Sequence, residues 1–289
     1  MNNLTFQMYN VIEPVNRYKH NKTLLLASAK QELLYNNIHH DDTDRLKELG
    51  TKFLRTVENG VTGAIYRGHN PEFNEENRKL GNDWPGACGH TMVGFVRLNN
   101  IKTVIEDTLA RSVPGDFMEL GVWRGGSCIY AAAVYLTLGV QRNIYVFDAF
   151  EPISGYGESS DYLAVSLDQI KQNFDNYGLL ESNIIFRKGL FESTLKEFAS
   201  EYPQTKLAIL RMDSNFYDPH MHSFYYVLPF VQTGGYLIFD DIVSHPAVAA
   251  AWRDFQAWHG LAYELIQLDH HSAYVQITAP VVPDFSRWS

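Results

Sequence analysis

The sequence predicts an α/β protein built on a doubly wound, mostly parallel sheet of seven strands whose last strand runs antiparallel. Three observations carry that expectation. From Asp116 onward, short apolar runs alternate with helical stretches, the pattern of strands wound with helices on both faces. Two of the runs, Ala208-Ile-Leu-Arg-Met-Asp213 and Gly235-Tyr-Leu-Ile-Phe-Asp240-Asp241, end in carboxylate, as parallel strands do when they deliver side chains to the sheet's carboxyl edge. Lastly, the chain closes on two strands joined by Asp269-His-His-Ser272, an antiparallel hairpin.

Residues 1–95 differ in texture from the rest and are expected to form a helical N-terminal and lid region. Lys22 to Tyr35 reads as one helix and Asp42 to Val57 as a second, amphipathic one. The polar stretch Arg67 to Lys79 has little to bury and reads as a loop or lid. Thr91 is placed to cap a helix running through Leu98 toward Arg111.

The alternating domain occupies residues 96–289. Its strands are Phe117–Leu120, Asn143–Phe147, Ile184–Phe186, Leu207–Met212 and Tyr236–Phe239. Helices are expected over Gly126–Leu138, Ser166–Tyr177, Glu192–Glu201, about His220 to Val231, and Pro246–His259. Two final strands, Ala262–Leu268 and Ala273–Thr278, form the hairpin. The aromatics Phe224, Tyr225, Tyr226 and Phe230 fall at helical spacing and read as core. No internal repeat or low-complexity tract interrupts the chain.

Composition narrows the class. The 289 residues are 45% hydrophobic, 20% charged and 13% aromatic, an ordinary globular balance. A formal net charge of −9 argues against nucleic acid or an anionic membrane surface as the main partner. Two cysteines, Cys88 and Cys128, are too few for a disulfide framework. No apolar run reaches membrane-spanning length and the start lacks a secretory pattern, so a soluble cytoplasmic protein is expected. The expected partner is a small molecule, with a homo-oligomer as a further expectation.

The first strand runs into Glu119-Leu-Gly121-Val-Trp-Arg-Gly125-Gly126-Ser127. Glycines there let the backbone approach a ligand and start the helix without a Cβ clash. The spacing is neither the dinucleotide Gly-x-Gly-x-x-Gly nor a Walker loop, and no lysine sits where one would grip a phosphate. A nucleoside without a pyrophosphate fits better. Asp148, at the end of the second strand, is placed to accept hydrogen bonds from two ribose hydroxyls. Asp213, Asp240 and Asp241 would repel one another at one sheet edge unless cations or protons compensate them, and Mg²⁺ with its oxygen ligands is the simplest compensation. Each acid also has a plainer reading, Asp213 as a helix N-cap above all. Trp123 reads as packing. His220, His222, His245, His270 and His271 read individually as surface or turn residues, although a base near the sheet edge is possible among them.

The glycine turn, Asp148 and the closing hairpin together resemble the S-adenosylmethionine-dependent methyltransferase fold. Longer stretches resemble one family within it, the macrocin O-methyltransferases, which methylate sugar hydroxyls of natural products. These are Asp83-Trp-Pro with His90-Thr-Met-Val-Gly94, Pro114-Gly-Asp-Phe-Met-Glu-Leu-Gly-Val-Trp-Arg-Gly-Gly126, Asn173 to Leu179, Gly189-Leu-Phe-Glu-Ser-Thr-Leu195, Leu210-Arg-Met-Asp213 and Asp240-Asp241. The likeness covers roughly residues 63 to 260, and the first sixty or so carry none of it.

The resemblance implies S-adenosylmethionine and Mg²⁺ as cofactors, with the metal on Asp213, Asp240 and Asp241, and Asp213 also taking the acceptor's proton. It implies cofactor contacts at Thr91, Met92, Glu119, Gly121, Arg124, Ser127, Asp148, Gly189 and Phe191. Two departures stand out. Asn215 replaces the family's second acid after the fourth strand, and Ala149 replaces a serine after Asp148. The acceptor reading left open is a sugar or polyol against a catechol, with a non-catalytic cofactor-binding module as the reading of a different class. A nicotinamide oxidoreductase is disfavoured by the glycine spacing and the hairpin.

Overall fold

The computed structural model describes residues 40–69, 73–81, 85–86, 88–153 and 160–288. The expected helix over Lys22 to Tyr35 lies outside them, as do Asp83 and Trp84. Five parallel strands form the centre: β1 (Asp116–Leu120), β2 (Ile144–Asp148), β3 (Ile184–Lys188), β4 (Leu207–Met212) and β5 (Val231–Phe239). β6 (Ile266–Gln267) and β7 (Ala273–Gln276) complete the sheet, β7 antiparallel to β5 and β6 antiparallel to β7. The order β3-β2-β1-β4-β5-β7-β6 reverses direction between β1 and β4. In a doubly wound sheet that reversal opens a crevice beyond the carboxyl ends of the two strands.

The strands read as near-continuous apolar runs because both faces are buried. Phe117, Ile209 and Ile238 enter one core, and their neighbours Met118, Leu210 and Leu237 enter the other. Helices α1 (His40–Val61), α3 (Phe95–Ala110), α4 (Gly126–Thr137) and α6 (Leu167–Asn176) cover the first face. Helices α7 (Phe191–Glu201), α8 (Tyr217–Tyr226) and α9 (Pro246–His259) cover the second. Two short helices, α2 (Glu75–Leu80) and α5 (Ser160–Leu163), lie at the edge of the crevice region. Among the described residues, no helix is long and apolar enough to cross a membrane.

Four of the departures from the sequence expectation have a clear local reason. The helix expected over His220 to Val231 instead spans Tyr217–Tyr226, followed by a 3₁₀ turn at Leu228–Phe230. Pro229 sits at the start of that turn, and the residue before a proline is pushed out of helical geometry. The chain therefore enters β5 at Val231, five residues before the expected Tyr236, through Gly234 at φ +88° and a register shift against β4. Thr91 does not cap α3. Its hydroxyl accepts the Val93 N–H at 3.0 Å, and Gly94 takes the cap position, where a Cβ would lie 2.3 Å from the Gly81 nitrogen. The first strand of the hairpin shrinks to two residues, a short edge of the kind that resists further pairing.

The polar stretch before α3 also buries more than its composition suggests. Asn74 caps α2, and Arg78 within it is 1% exposed, donating to the Met92 carbonyl at 2.9 Å and the Val93 carbonyl at 3.3 Å.

Candidate active site

The crevice at the reversal holds a cavity of about 590 Å³. Its floor is made where β1, β2, β4 and β5 end, and two differently built ends share it.

The first end is backbone. Gly121 leaves β1 at φ +86°, and a Cβ there would stand 2.0 Å from the Asp213 carbonyl oxygen, so only glycine lets the turn pass β4. Gly125 is also left-handed, at φ +82°, and a Cβ on Gly126 would meet the His90 carbonyl at 2.5 Å. Trp123 adopts φ +48° between them, a strained value for a side chain of its size. Asp148 ties the turn down. Its Oδ2 accepts the N–H groups of Val122 at 2.8 Å and Trp123 at 3.2 Å, and its Oδ1 accepts that of Phe150 at 3.0 Å. Burial pushes the Asp148 carboxyl above its ordinary range, against the pull of these three N–H groups.

The second end is ionic. Carboxylate oxygens of Asp213, Asp240 and Asp241 lie within 4.8 Å of one another. Beneath them Arg211, 1% exposed near the carboxyl end of β4, donates to Glu119, to Asp213 Oδ2 at 3.0 Å and to Asp240 Oδ1. Arg97 reaches in from α3. It donates to Asp240 Oδ2 at 2.8 Å, to Asp269 Oδ2 at 2.8 Å and to the carbonyls of Leu80 and Gly81 at 3.2 Å. Burial favours the neutral acid at Asp240, but Arg211 and Arg97 overcome it and hold this carboxyl down at about 2. Burial and the neighbouring Asp240 push Asp213 and Asp241 the other way, above the ordinary carboxylate range.

Most of the residues anticipated from sequence meet here. Thr91, Met92, Gly121, Ser127, Asp148, Gly189, Phe191, Asp213, Asp240 and Asp241 all line the one cavity. Glu119 and Arg124 do not. Glu119 is fully buried behind the wall, bonded to Ser127 Oγ, Cys128 Sγ and Arg211. Arg124 lies over the Trp123 ring and donates to the carbonyls of Gly86 and Gly89 at 2.8 Å. Both brace the site rather than face it.

One histidine expectation changes. His220 is buried, not in a turn on the surface, with Nδ1 3.0 Å from the Phe216 carbonyl, and burial lowers its pKa to about 4. His222, His245 and His271 line the cavity. Asn215 lines it too, and its Oδ1 is buried with no hydrogen-bond partner among the described residues.

Sequence reasoning missed the two arginines and Asp269. Arg211 had a signal: a basic residue inside a buried strand requires acids around it. Arg97 and Asp269 had none, being 172 positions apart. The electrostatic expectation changes with them, because part of the compensation for the acids is internal. Even so, five carboxylates (Glu119, Asp213, Asp240, Asp241, Asp269) face two guanidiniums, and the cluster stays negative. An all-oxygen donor set with residual negative charge fits a hard divalent cation. The glycine cradle beside Asp148 fits a nucleoside cofactor.

A sheet of this order with a glycine turn at its reversal is the fold of the class I S-adenosylmethionine-dependent methyltransferases. The macrocin O-methyltransferase (TylF) family matches residues 21–276, and the chain belongs to it. That span reaches well beyond the stretch of likeness read from motifs, chiefly at the N-terminal end. The chain is 37% identical over 220 residues to the demethyldecarbamoylnovobiocin O-methyltransferase of Streptomyces niveus, covering 71% of this chain and 82% of the relative. It is 34% identical over 248 residues to the mycinamicin III 3''-O-methyltransferase of Micromonospora griseorubida, covering 80% and 94%. The solved structure of the O-methyltransferase NovP superposes with a TM-score of 0.73 at 34% identity, over 80% of this chain and all of NovP. The calicheamicin methyltransferase CalS11 shares the fold, with a TM-score of 0.56 at 19% identity over 84% of this chain and 95% of CalS11. This protein is therefore an O-methyltransferase, with S-adenosylmethionine as its methyl donor.

Proposed function

We propose that the enzyme is a divalent-cation-dependent O-methyltransferase acting on a hydroxyl of a natural-product acceptor, a sugar or polyol, in antibiotic biosynthesis. The observation that carries this reading is the meeting of Asp213, Asp240 and Asp241 within 4.8 Å in the same cavity as the glycine turn and Asp148. The acceptor class rests on the relatives, one named for a 3''-oxygen of mycinamicin III and another for the 4'-oxygen of a rhamnosyl tetracenomycin.

When bound, S-adenosylmethionine supplies an electrophilic sulfonium methyl, and Mg²⁺ supplies positive charge favouring an anionic acceptor oxygen. Gly121, Ser127, Asp148, Thr91, Met92, Gly189 and Phe191 surround the cofactor, and Glu119 and Arg124 hold the turn from behind. Asp213, Asp240 and Asp241 hold the cation. Asp213 also receives the acceptor's proton through Oδ1, the oxygen that Arg211 leaves unengaged. Burial and Asp240 push this carboxyl above its ordinary range, and a bound cation would draw it back down and leave it ionised to accept the proton. His245 and His271 line the same cavity, His245 Nδ1 lying 3.6 Å from Asp241 Oδ1. Gly81, Thr91, Met92 and Val93, from the described part of the N-terminal region, supply one wall of the cavity, and that wall is assigned to the cofactor and acceptor side.

Asp241→Asn tests the cation role better than a change at Asp240, which two arginines also need. The variant is expected to keep its calorimetric affinity for S-adenosylmethionine and to lose turnover on a glycoside acceptor by at least ~100-fold. Full turnover in Asp241→Asn, or wild-type turnover indifferent to EDTA, would defeat the cation reading. A screen of glycosides against catechols decides the acceptor.

A further inference from the structure

Asp240 differs from its two neighbours in having both carboxylate oxygens already engaged, Oδ1 by Arg211 and Oδ2 by Arg97. Arg97 in turn is shared with Asp269, a buried acid on the β6–β7 turn that belongs to no candidate ligand set. The Asp269 carboxylate is otherwise committed to its own turn, Oδ1 accepting the N–H groups of His271 and Ser272 and the Ser272 hydroxyl. The chain Asp269–Arg97–Asp240–Arg211 is thus one buried, alternating set of charges whose middle members, Arg97 and Asp240, line the cavity.

We propose that Arg97 is a resident counter-ion with which a divalent cation must share Asp240, so that Arg97 and Asp269, neither of them a ligand, set how tightly the site holds the ion. The inference rests on the cation reading above. Its physical basis is that charges a few ångströms apart inside a protein interact far more strongly than in water. A positive neighbour of Asp240 opposes a second cation, and a negative neighbour of Arg97 offsets that opposition. A holding role alone works in the other direction: if Arg97 merely steadied the Asp240 carboxylate, removing it would weaken binding. The two roles therefore predict opposite signs. The charge effect is the larger, because Asp240 N–H is already fixed to the Met212 carbonyl at 3.0 Å and Arg211 still grips its Oδ1. The consequence for the enzyme is an exchangeable cation, in a site whose acids are already partly paired by two arginines.

The test is a calorimetric titration of the full chain with Mn²⁺, after EDTA treatment and dialysis, across a ladder of charge. Arg97→Gln is expected to bind about ten-fold tighter than wild type, and Asp269→Asn about ten-fold weaker. Arg97→Gln with Asp269→Asn restores the net charge and is expected within about three-fold of wild type. Should Arg97→Gln not fold, the comparison of Asp269→Asn with the double variant decides, since only charge balance makes the double variant the tighter of the two. Weaker binding in Arg97→Gln, or dissociation constants that stay the same while melting temperatures fall, would overturn the inference and leave Arg97 a structural residue. An absence of Mn²⁺ binding in every protein of the ladder would remove the cation reading itself, and this inference with it.

Discussion

The two ends of the cavity are held by different physics. At the cofactor end the shape is made by backbone: left-handed Gly121 and Gly125, close passage of Gly126 under the His90 carbonyl, and N–H groups converging on Asp148. At the carboxylate end it is made by side chains from α3, β1, β4, β5 and the hairpin turn, meeting as ion pairs beneath the surface. The contrast teaches where each end is fragile. Backbone shape fails when one residue needs more room, whereas a charge network fails when one partner leaves and its neighbours stay buried and unpaired.

The sharpest way to break the comparison is at Arg211. Replacing it with Met removes the cation that pairs Glu119 and one of the two that pair Asp240, both acids being nearly inaccessible to water. Stability is expected to fall by about 3–5 kcal/mol in urea denaturation. Arg211→Lys should recover part of this and no more, because an ammonium cannot reproduce the forked contacts. A loss below about 1 kcal/mol would mean that the network is not what holds this end.

Gly121→Ala attacks the other end. The new Cβ meets backbone at 2.0 Å with φ at +86°, so the turn must move. A cost of about 3 kcal/mol is expected, and S-adenosylmethionine affinity should fall with it in calorimetry. Wild-type affinity in that variant would show that the turn does not shape the cofactor end.

The pH dependence sharpens the contrast with one histidine at each end. His90 lies under the glycine turn and His220 beside Ser214, and burial lowers both to about 4 from an ordinary 6.5. The folded protein then binds fewer protons than the unfolded chain between those values, so stability is lost as pH falls through that window. Each histidine contributes up to about 1.4 kcal/mol per pH unit there. Melting curves from pH 7 to 4.5 should flatten in His90→Gln and in His220→Gln, each relative to wild type. Parallel curves would deny the burial cause.

The smallest effect is expected at Asp148→Asn. An amide keeps one acceptor oxygen for the turn and loses the other, a cost of about 1–2 kcal/mol. Cofactor affinity should drop by roughly ten-fold, measured by the same titration. A drop as large as that of Gly121→Ala would place ribose recognition, and not turn geometry, as the main work of this acid.

The two ends also differ in how legible they were. The Gly-x-x-x-Gly-Gly spacing and an acid one βαβ step later announce a turn because left-handed φ is a property of single residues. The carboxylates Asp213, Asp240 and Asp241 were visible because strand ends project side chains to one sheet edge. Helix and strand periodicity placed most elements within a few residues. It failed where a proline or a glycine pair overrode the apolar pattern, at Pro229 and at Gly234-Gly235. Burial was harder to see. Arg78, Arg97 and His220 look polar and solvated in sequence, yet each is covered by neighbours from distant segments.

What the chain's own order of residues determined is the sheet, its direction of winding, the glycine turn and which acids arrive at its edge, because side-chain periodicity and backbone preference act over a few residues. Only the folded molecule decided that Glu119 turns inward, that Asp240 is spoken for by two guanidiniums, and that a hairpin turn lends Asp269 to the site. Charge pairing depends on distance through space and on exclusion of water, and neither is written in separation along the chain.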